Sequence, residues 1–235
     1  MIKELLAIEI GTSMKVLMAF PYAAYMEVLL NTYPLQIAKR GHDVYVATSW
    51  EGDSVQSQEV RLIRINSINL RIPSLVENFP AHIGVEELIH RVNPDVVHVH
   101  NLPFITTLQY TMAARKLGVP SVVHVHGVLG RRGRLVTSAQ ILCLRTFGRA
   151  IFGSTSAVIC LSNVDAFEVQ RLGCSREKIH VIPNGVDEFL FRPIETEQKP
   201  QLLWYGRFVA RANMVTFFIA TAAIAYQLRS LANLV

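Results

Sequence analysis

Cysteine is scarce and odd in number. Cys143, Cys160 and Cys174 are the only three in 235 residues, each inside an apparent helix or strand pattern. That excludes a disulfide framework and points to a reducing, cytoplasmic setting in which the thiols simply pack. No secretory leader is expected at the start either, because Glu4 and Glu9 interrupt the apolar stretch from Met1 to Ser13. Long hydrophobic runs are also lacking. Ala212 to Leu228 carries no formal charge over 17 residues, at the lower limit for a bilayer span, but Thr216, Thr221, Tyr226 and Gln227 dilute it, so a packed helix is expected. There is no internal repeat and no low-complexity tract. The arginines of one loop, Arg131, Arg132 and Arg134, have no aromatics between them, which argues against single-strand nucleic-acid binding.

Acidic residues are outnumbered: 18 against 23 basic ones leave a net charge of +5 and a pI near 9.3. This favours anionic partners such as phosphorylated sugars, nucleotide diphosphates or acidic lipid headgroups, without selecting among them. Hydrophobic residues make up 51% of the chain, enough for a buried core.

Short β-branched runs recur along the chain. Met14 to Phe20, Asp43 to Thr48, Val60 to Ile65, Asp95 to His100, Ser121 to His126, Ala157 to Leu161 and Ile179 to Ile182 read as strands, several of them apolar on both faces. Helical patterns lie between: Glu27 to Arg40, bent at Pro34, then Val85 to Val92, Phe104 to Leu117, Ser138 to Phe152 and Asn163 to Leu172. Alternation of this kind predicts an α/β fold, a doubly wound parallel sheet with right-handed crossovers. The polar, proline-bounded stretch Arg192 to Pro200 reads as a linker. Residues 14–193 are therefore assigned to one Rossmann-like domain, and 194–235 to a linker and the beginning of a second α/β unit.

Ligands of open α/β sheets collect where strands exit into loops. The polar exits are Pro21 to Glu27, His100-Asn101, His126-Gly127, Ser162-Asn163, Asn184-Gly185 and Gly206-Arg207. His98 and His100 share one strand face, and His124 and His126 share one on the next strand. No carboxylate or thiolate accompanies them at a fixed spacing, so no metal centre is expected, and His98 and His124 are read as hydrogen-bonded packing beneath the site. His126, last in its run and followed by Gly127, is read as a site residue.

Several motifs fall in a fixed order: Arg40-Gly41-His42-Asp43-Val44, Pro94-Asp95-Val96-Val97-His98-Val99-His100, Gly118-Val119-Pro120, Val123-His124-Val125-His126-Gly127, Ile182-Pro183-Asn184-Gly185-Val186-Asp187 and Gly206-Arg207-Phe208. Together, from about Met14 to Val235, they resemble the GT-B glycosyltransferases of family four. The resemblance implies an N-terminal domain that holds the acceptor, a C-terminal domain that holds a nucleotide-sugar, and transfer of the sugar, with retention, to a hydroxyl of a sugar or lipid-linked acceptor. No cofactor is implied, since the nucleotide-sugar is itself the substrate. By the same resemblance His126 is the catalytic candidate, contacting the donor sugar near the reacting centre. Gly127 and Arg207 lie on the donor side, Arg207 matching the arginine that binds the donor diphosphate. His100, Asn101, Ser162 and Asn184 face the acceptor or the cleft.

Three departures from the family pattern stand out. Ala24 and Tyr25 occupy the first-loop positions where paired glycines are usual, so close approach of the diphosphate meets side chains. The lysine usual five positions after the arginine is Ala212, leaving Arg211 as the nearest cation. The later glutamates that contact donor sugar and ribose are not among the 235 residues. The expectation is therefore a transferase lineage whose 235 residues alone do not turn over. The alternatives are a non-catalytic module that binds an acceptor or a second chain completing the donor domain, and a GT-B sugar-nucleotide epimerase. A weak peripheral membrane contact at the inner surface is a further expectation, through the arginine loop with Arg145 and Arg149.

Overall fold

The computed structural model describes residues 12–21, 33–49, 59–71, 78–102, 104–128 and 134–185, with 221, 222 and 224. It divides into two compact units, Met1–Asn184 and Gly185–Val235. In the second, the described residues 221, 222 and 224 are helical. The linker, the strand expected at Leu202 to Tyr205 and most of the helix expected at Ala212 to Leu228 lie outside the described residues.

The first unit runs β1 (Lys15–Ala19), α1 (Tyr33–Ala38), β2 (Asp43–Thr48), β3 (Val60–Arg64), β4 (Ser67–Arg71), β5 (Asn78–His82), α2 (Val85–Val92), β6 (Val96–His100), α3 (Ile105–Lys116), β7 (Ser121–Val125), α4 (Arg134–Ser154), β8 (Ala157–Cys160), α5 (Asn163–Arg171), a 3-10 turn (Arg176–Lys178) and β9 (Ile179–Val181). Seven strands form one sheet in the order β3-β2-β1-β6-β7-β8-β9. Every pairing within it is parallel. The seven strands read from the β-branched runs are these seven.

Apolar residues cover both faces of the central strands, as a parallel sheet between helices requires. Leu17, Val97 and Val99 pack with Leu88, Ile89 and Tyr110 of α2 and α3, and Val123, Val125 and Val158 with Ile151, Phe152 and Val169 of α4 and α5. Val16, Met18, Phe20, Val44 and Val46 cluster on the opposite face, with Tyr33 and Ile37 of α1 against them. Cys160 and Cys174 are free and buried, and burial pushes both thiols up to about 11.

Two motif residues act as pins at the amino ends of the strands. Lys15 N donates to Asp95 Oδ2 at 2.6 Å while Asp95 N donates to Lys15 O at 2.8 Å. Met14 N donates to His42 Nδ1 at 3.2 Å, and Asp43 N to Met14 O at 2.9 Å. Asp95 and His42 thus fix the start of β1 against β6 and β2.

The structure adds what the periodicity did not show. β4 and β5 form an antiparallel two-stranded sheet, with Asn69 opposite Pro80. Both strands of such a pair have a free edge, where the missing proline donor is tolerated. Gln109 of α3 clamps this hairpin: His82 N donates to Gln109 Oε1 and Gln109 Nε2 donates to His82 O, each at 2.9 Å. Thr106 Oγ1 adds a bond to Pro80 O at 2.6 Å. α4 extends beyond the expected Ser138 to Phe152 at both ends. Lys178 Nζ satisfies its terminal region by donating to Phe152 O and Thr155 O, both at 2.7 Å. Of the expected helix Glu27 to Arg40, residues 27–32 lie outside the described residues; Pro34 is buried in α1.

His82 is buried, its Nδ1 3.2 Å from Tyr110 Oη, and burial pushes its pKa down to about 4 against a partial upward pull from the Pro21 carbonyl. In the unfolded chain an imidazole titrates near 6.5, so below that pH the unfolded state binds more protons. Stability from this residue is complete above pH 6.5 and is lost as the pH falls towards 4. Urea-unfolding free energies between pH 7 and 5 are expected to fall less steeply for His82→Gln than for the wild type, by up to about 1.4 kcal/mol per pH unit. Equal slopes would contradict a buried neutral His82.

Candidate functional site

Strand register assembles the site. β6 and β7 pair with His98 opposite Val122 and His100 opposite His124. Side chains alternate across a strand, so His98, His100 and His124 emerge on the same face of the sheet as Met18 and Phe20. Beyond the ladder, Asn101 N donates to His124 O at 2.9 Å, which extends the pairing by one residue and leaves Asn101 in the left-handed region at φ 71°. Thr107 Oγ1 donates to Asn101 O and holds that turn against α3.

Four imidazoles therefore stand together at the carboxyl ends of two neighbouring strands. Ring centroids are 4.4 Å apart for His98–His100, 5.2 Å for His100–His124, 5.6 Å for His98–His124 and 4.3 Å for His124–His126. Phe20 stacks on His100 at 4.1 Å, and Tyr33 of α1 meets His124 edge-on at 5.3 Å. His100 Nδ1 lies 3.0 Å from His126 Nε2. His100 is fully buried and His126 half-buried, so His126 is the member of the pair that meets solvent.

Burial, and then repulsion between neighbouring imidazoles, lowers the pKa of these residues: to about 4 at His98, to about 3 at His124, and well below the usual range at His100. Burial alone lowers His126. All four are neutral near pH 7. Two neutral rings facing through one nitrogen each share a single proton, so one of His100 and His126 donates and the other accepts. Tyr33 is raised by burial and stays a phenol.

The other exits differ in what they leave free. Ser162 is the N-cap of α5: its Oγ accepts from Asp165 N at 3.2 Å and donates to Asp165 Oδ2 at 2.7 Å, which commits the hydroxyl to the helix. Asn184 is exposed, and its Oδ1 accepts from Tyr33 Oη. The structure thus joins His100, Asn101 and His126 in one place and ties Asn184 to the same tyrosine that covers His124. Ala24, Tyr25, Arg207 and Arg211 lie outside the described residues.

The sequence reading missed Phe20 and Tyr33, which look like ordinary core aromatics. It also expected His98 and His124 to pack with hydrogen bonds. They pack, but His98 Nε2, His100 Nε2 and both ring nitrogens of His124 are buried with no hydrogen-bond partner among the described residues. The reason is geometric: these rings face one another across two strands, and only His100 meets its neighbour nitrogen to nitrogen.

Gly127 sets the direction in which the chain leaves His126. Its φ is +103°, and a Cβ placed there would meet nothing within 4 Å, so the need for glycine is conformational. Gly127→Ala is expected to cost about 1–2 kcal/mol in the urea-unfolding free energy. A smaller change would mean that the turn relaxes and does not fix His126.

Comparisons with known proteins identify the family and the fold. The chain is 35% identical over 124 residues to the Escherichia coli UDP-Gal:alpha-D-GlcNAc-diphosphoundecaprenol alpha-1,3-galactosyltransferase, a match covering 51% of this chain and 30% of that one. The fold is similar to Anabaena HepE, solved in complex with UDP-glucose, at TM-score 0.56 and 18% identity over 75% of this chain and 45% of that one. It is also similar to sucrose-phosphate synthase from Thermosynechococcus elongatus, at TM-score 0.52 and 13% identity over 77% and 50%. The chain thus spans half or less of the length of each of these relatives. The family model for Glycosyltransferase Family 4 matches residues 35–188, a stretch that includes His100, Asn101, His126, Ser162 and Asn184. On that match the chain belongs to Glycosyltransferase Family 4, with the parallel α/β sheet of a GT-B domain.

Proposed function

We propose that this chain forms the acceptor side of an enzyme that transfers a sugar, with retention, from a nucleotide-sugar to a hydroxyl of a lipid-linked sugar. The observation that carries the reading is the family match over 35–188 with His126 at the exit of β7. The E. coli galactosyltransferase uses a UDP-sugar and a diphosphate-linked lipid acceptor by name, which favours both substrate classes here.

In this reading the half-buried His126 meets the donor sugar beside the reacting carbon. Its Nε2 is engaged by His100, so Nδ1 is the nitrogen offered to the ligand. Being neutral, it can hydrogen-bond a sugar hydroxyl without opposing the positive charge that develops on the sugar as the bond to the leaving phosphate lengthens. Arg207, with Arg211 nearby, supplies the charge that stabilises the departing diphosphate. Asn101, held at positive φ by the ladder and by Thr107, stands beside the same exit. A basic strip on α4 suits an anionic diphospholipid acceptor: Arg145 and Arg149 are both exposed and lie one turn apart on the same side of the helix. Among the described residues no helix is long and apolar enough to cross a membrane.

A non-catalytic binding module is the second reading, favoured by Ala24 and Tyr25 at the first-loop glycine positions and by Ala212 at the position of the second phosphate cation. The two separate in one assay. The 235-residue polypeptide is expected to bind a short-chain GlcNAc-diphospholipid without turning over UDP-sugars by itself. Transfer is expected once the donor-binding half of a family-four relative is supplied as a second chain, and His126→Ala is expected to reduce it about 100-fold. Acceptor binding with no transfer under any pairing would select the module. A folded chain that binds no sugar diphosphate and supports no transfer would overturn both.

A further inference from the structure

The transfer reading employs His126 and its hydrogen bond to His100. It gives no task to His98 or His124. One ring nitrogen from each of His98, His100 and His124 lies within 4.8 Å of the others. The unpartnered nitrogens, His98 Nε2, His100 Nε2 and both of His124, belong to the same three rings. His100 is fully buried and His124 is 3% exposed, so these are not atoms that bulk water can satisfy. Leaving a buried polar atom unpaired costs roughly 1–3 kcal/mol, and here the unpaired atoms belong to three rings that bring a nitrogen each to one place.

We propose that His98, His100 and His124 form a three-imidazole binding site for a divalent transition-metal ion, with zinc the best fit, beneath the His126 exit.

The donor set supports zinc on chemical grounds. Imidazole is a borderline ligand that suits zinc, copper and nickel over calcium or magnesium, and three histidines with an open fourth position are an established zinc arrangement. Zinc–nitrogen bonds of about 2.0–2.1 Å with tetrahedral angles would place ring centroids about 5.2 Å apart. The pairs at 5.2 and 5.6 Å fit this closely, and the His98–His100 pair at 4.4 Å would open slightly. A metal ligand must be unprotonated, and the same burial that lowers these pKa values keeps the rings in the ligating state near neutral pH. Among the described residues no carboxylate joins the group, so the charge of the ion would be balanced by hydroxide or another anion in the fourth position.

The site has a consequence for its neighbour. His100 Nδ1 already faces His126, so His100 ligates through Nε2 and must carry its proton on Nδ1. That proton is donated to His126 Nε2, the usual outer bond of a metal-bound histidine. His126 is then fixed as the tautomer with its proton on Nδ1. The ion thereby positions His126 without touching a substrate.

The test uses the full 235-residue chain, stripped of metal under reducing conditions and titrated with zinc against a chromophoric chelator. One equivalent is expected to bind, and cobalt(II) in its place is expected to give the intense visible bands of a four-coordinate site. His98→Gln and His124→Gln are each expected to weaken zinc by about 100-fold, while His90→Gln, on the exposed side of α2, leaves it unchanged. Absence of stoichiometric binding by the folded wild type would overturn the proposal, as would binding that survives both substitutions. If either variant fails to fold, X-ray absorption of the zinc-loaded wild type decides. A shell of imidazole nitrogens at about 2.0–2.1 Å supports the site, and sulfur at about 2.3 Å would assign the ion to the cysteines and refute it.

Discussion

Val99 lies opposite Val123 and His100 opposite His124, and Asn101 N–H closes the ladder on the His124 carbonyl. Side chains in a strand alternate with a period of two, so a slip of one residue would send His124 and His126 to the far face, among the apolar side chains of α4 and α5, and bring Val123 and Val125 to the exit. Apolar burial forbids that slip. Val97, Val99, Val123 and Val125 are all fully buried, and moving them would break their apolar contacts with the helices while driving polar rings into that layer. The reactive end of the sheet is therefore fixed by valines that never meet a ligand.

The imidazoles make the sheet locally expensive. Seven buried side-chain atoms lack a hydrogen-bond partner among the described residues, and four of them belong to His98, His100 and His124. Random packing faults would be scattered; these share one face of two adjacent strands. A chain that only needed a filled core could place valine or leucine at His98 and His124 and avoid burying three unpaired ring nitrogens. Burial also fixes the protonation state, since it holds the rings neutral where an exposed histidine would be partly charged. The cluster is thus rigid, neutral and rich in unshared lone pairs, a combination better suited to a ligand than to packing.

Much of this was legible in the chain. The seven strands were readable because a strand covered on both faces must be apolar throughout, and Val96 to Val99 and Ser121 to Val125 have few other uses. The parallel order followed from the helices between them. The β4–β5 hairpin was not readable, because Pro80 argues against a strand and Ser67 to Arg71 has too few apolar residues to show its period. Its stability comes from Gln109 and Thr106, 24 or more residues further along the chain than the strands they hold, and local pattern carries no trace of such bonds. At the site, His100, Asn101 and His126 were readable from strand exits. Tyr33 was not, since contact with His124 and Asn184 depends on how α1 docks, and a tyrosine in an amphipathic helix looks the same whether it covers a core or a site.

Motif residues that identify the family do two unlike kinds of work. His42 and Asp95 are polar and stand out in the sequence, yet they pin backbone amides at the amino ends of the strands, away from the exits. Ser162 stands at an exit, but its hydroxyl is taken up by the α5 cap. Asn184 is bonded to Tyr33. Among the described motif residues, removing each committed group leaves a short remainder: His126 Nδ1, the Asn101 side chain, and the nitrogens of the three histidines below them. Membership of Glycosyltransferase Family 4 sets the fold, but a fold accommodates many reactions. Among the described residues, what distinguishes this chain is the inventory left over once the structural bonds are counted, and that inventory is concentrated where β6 and β7 end.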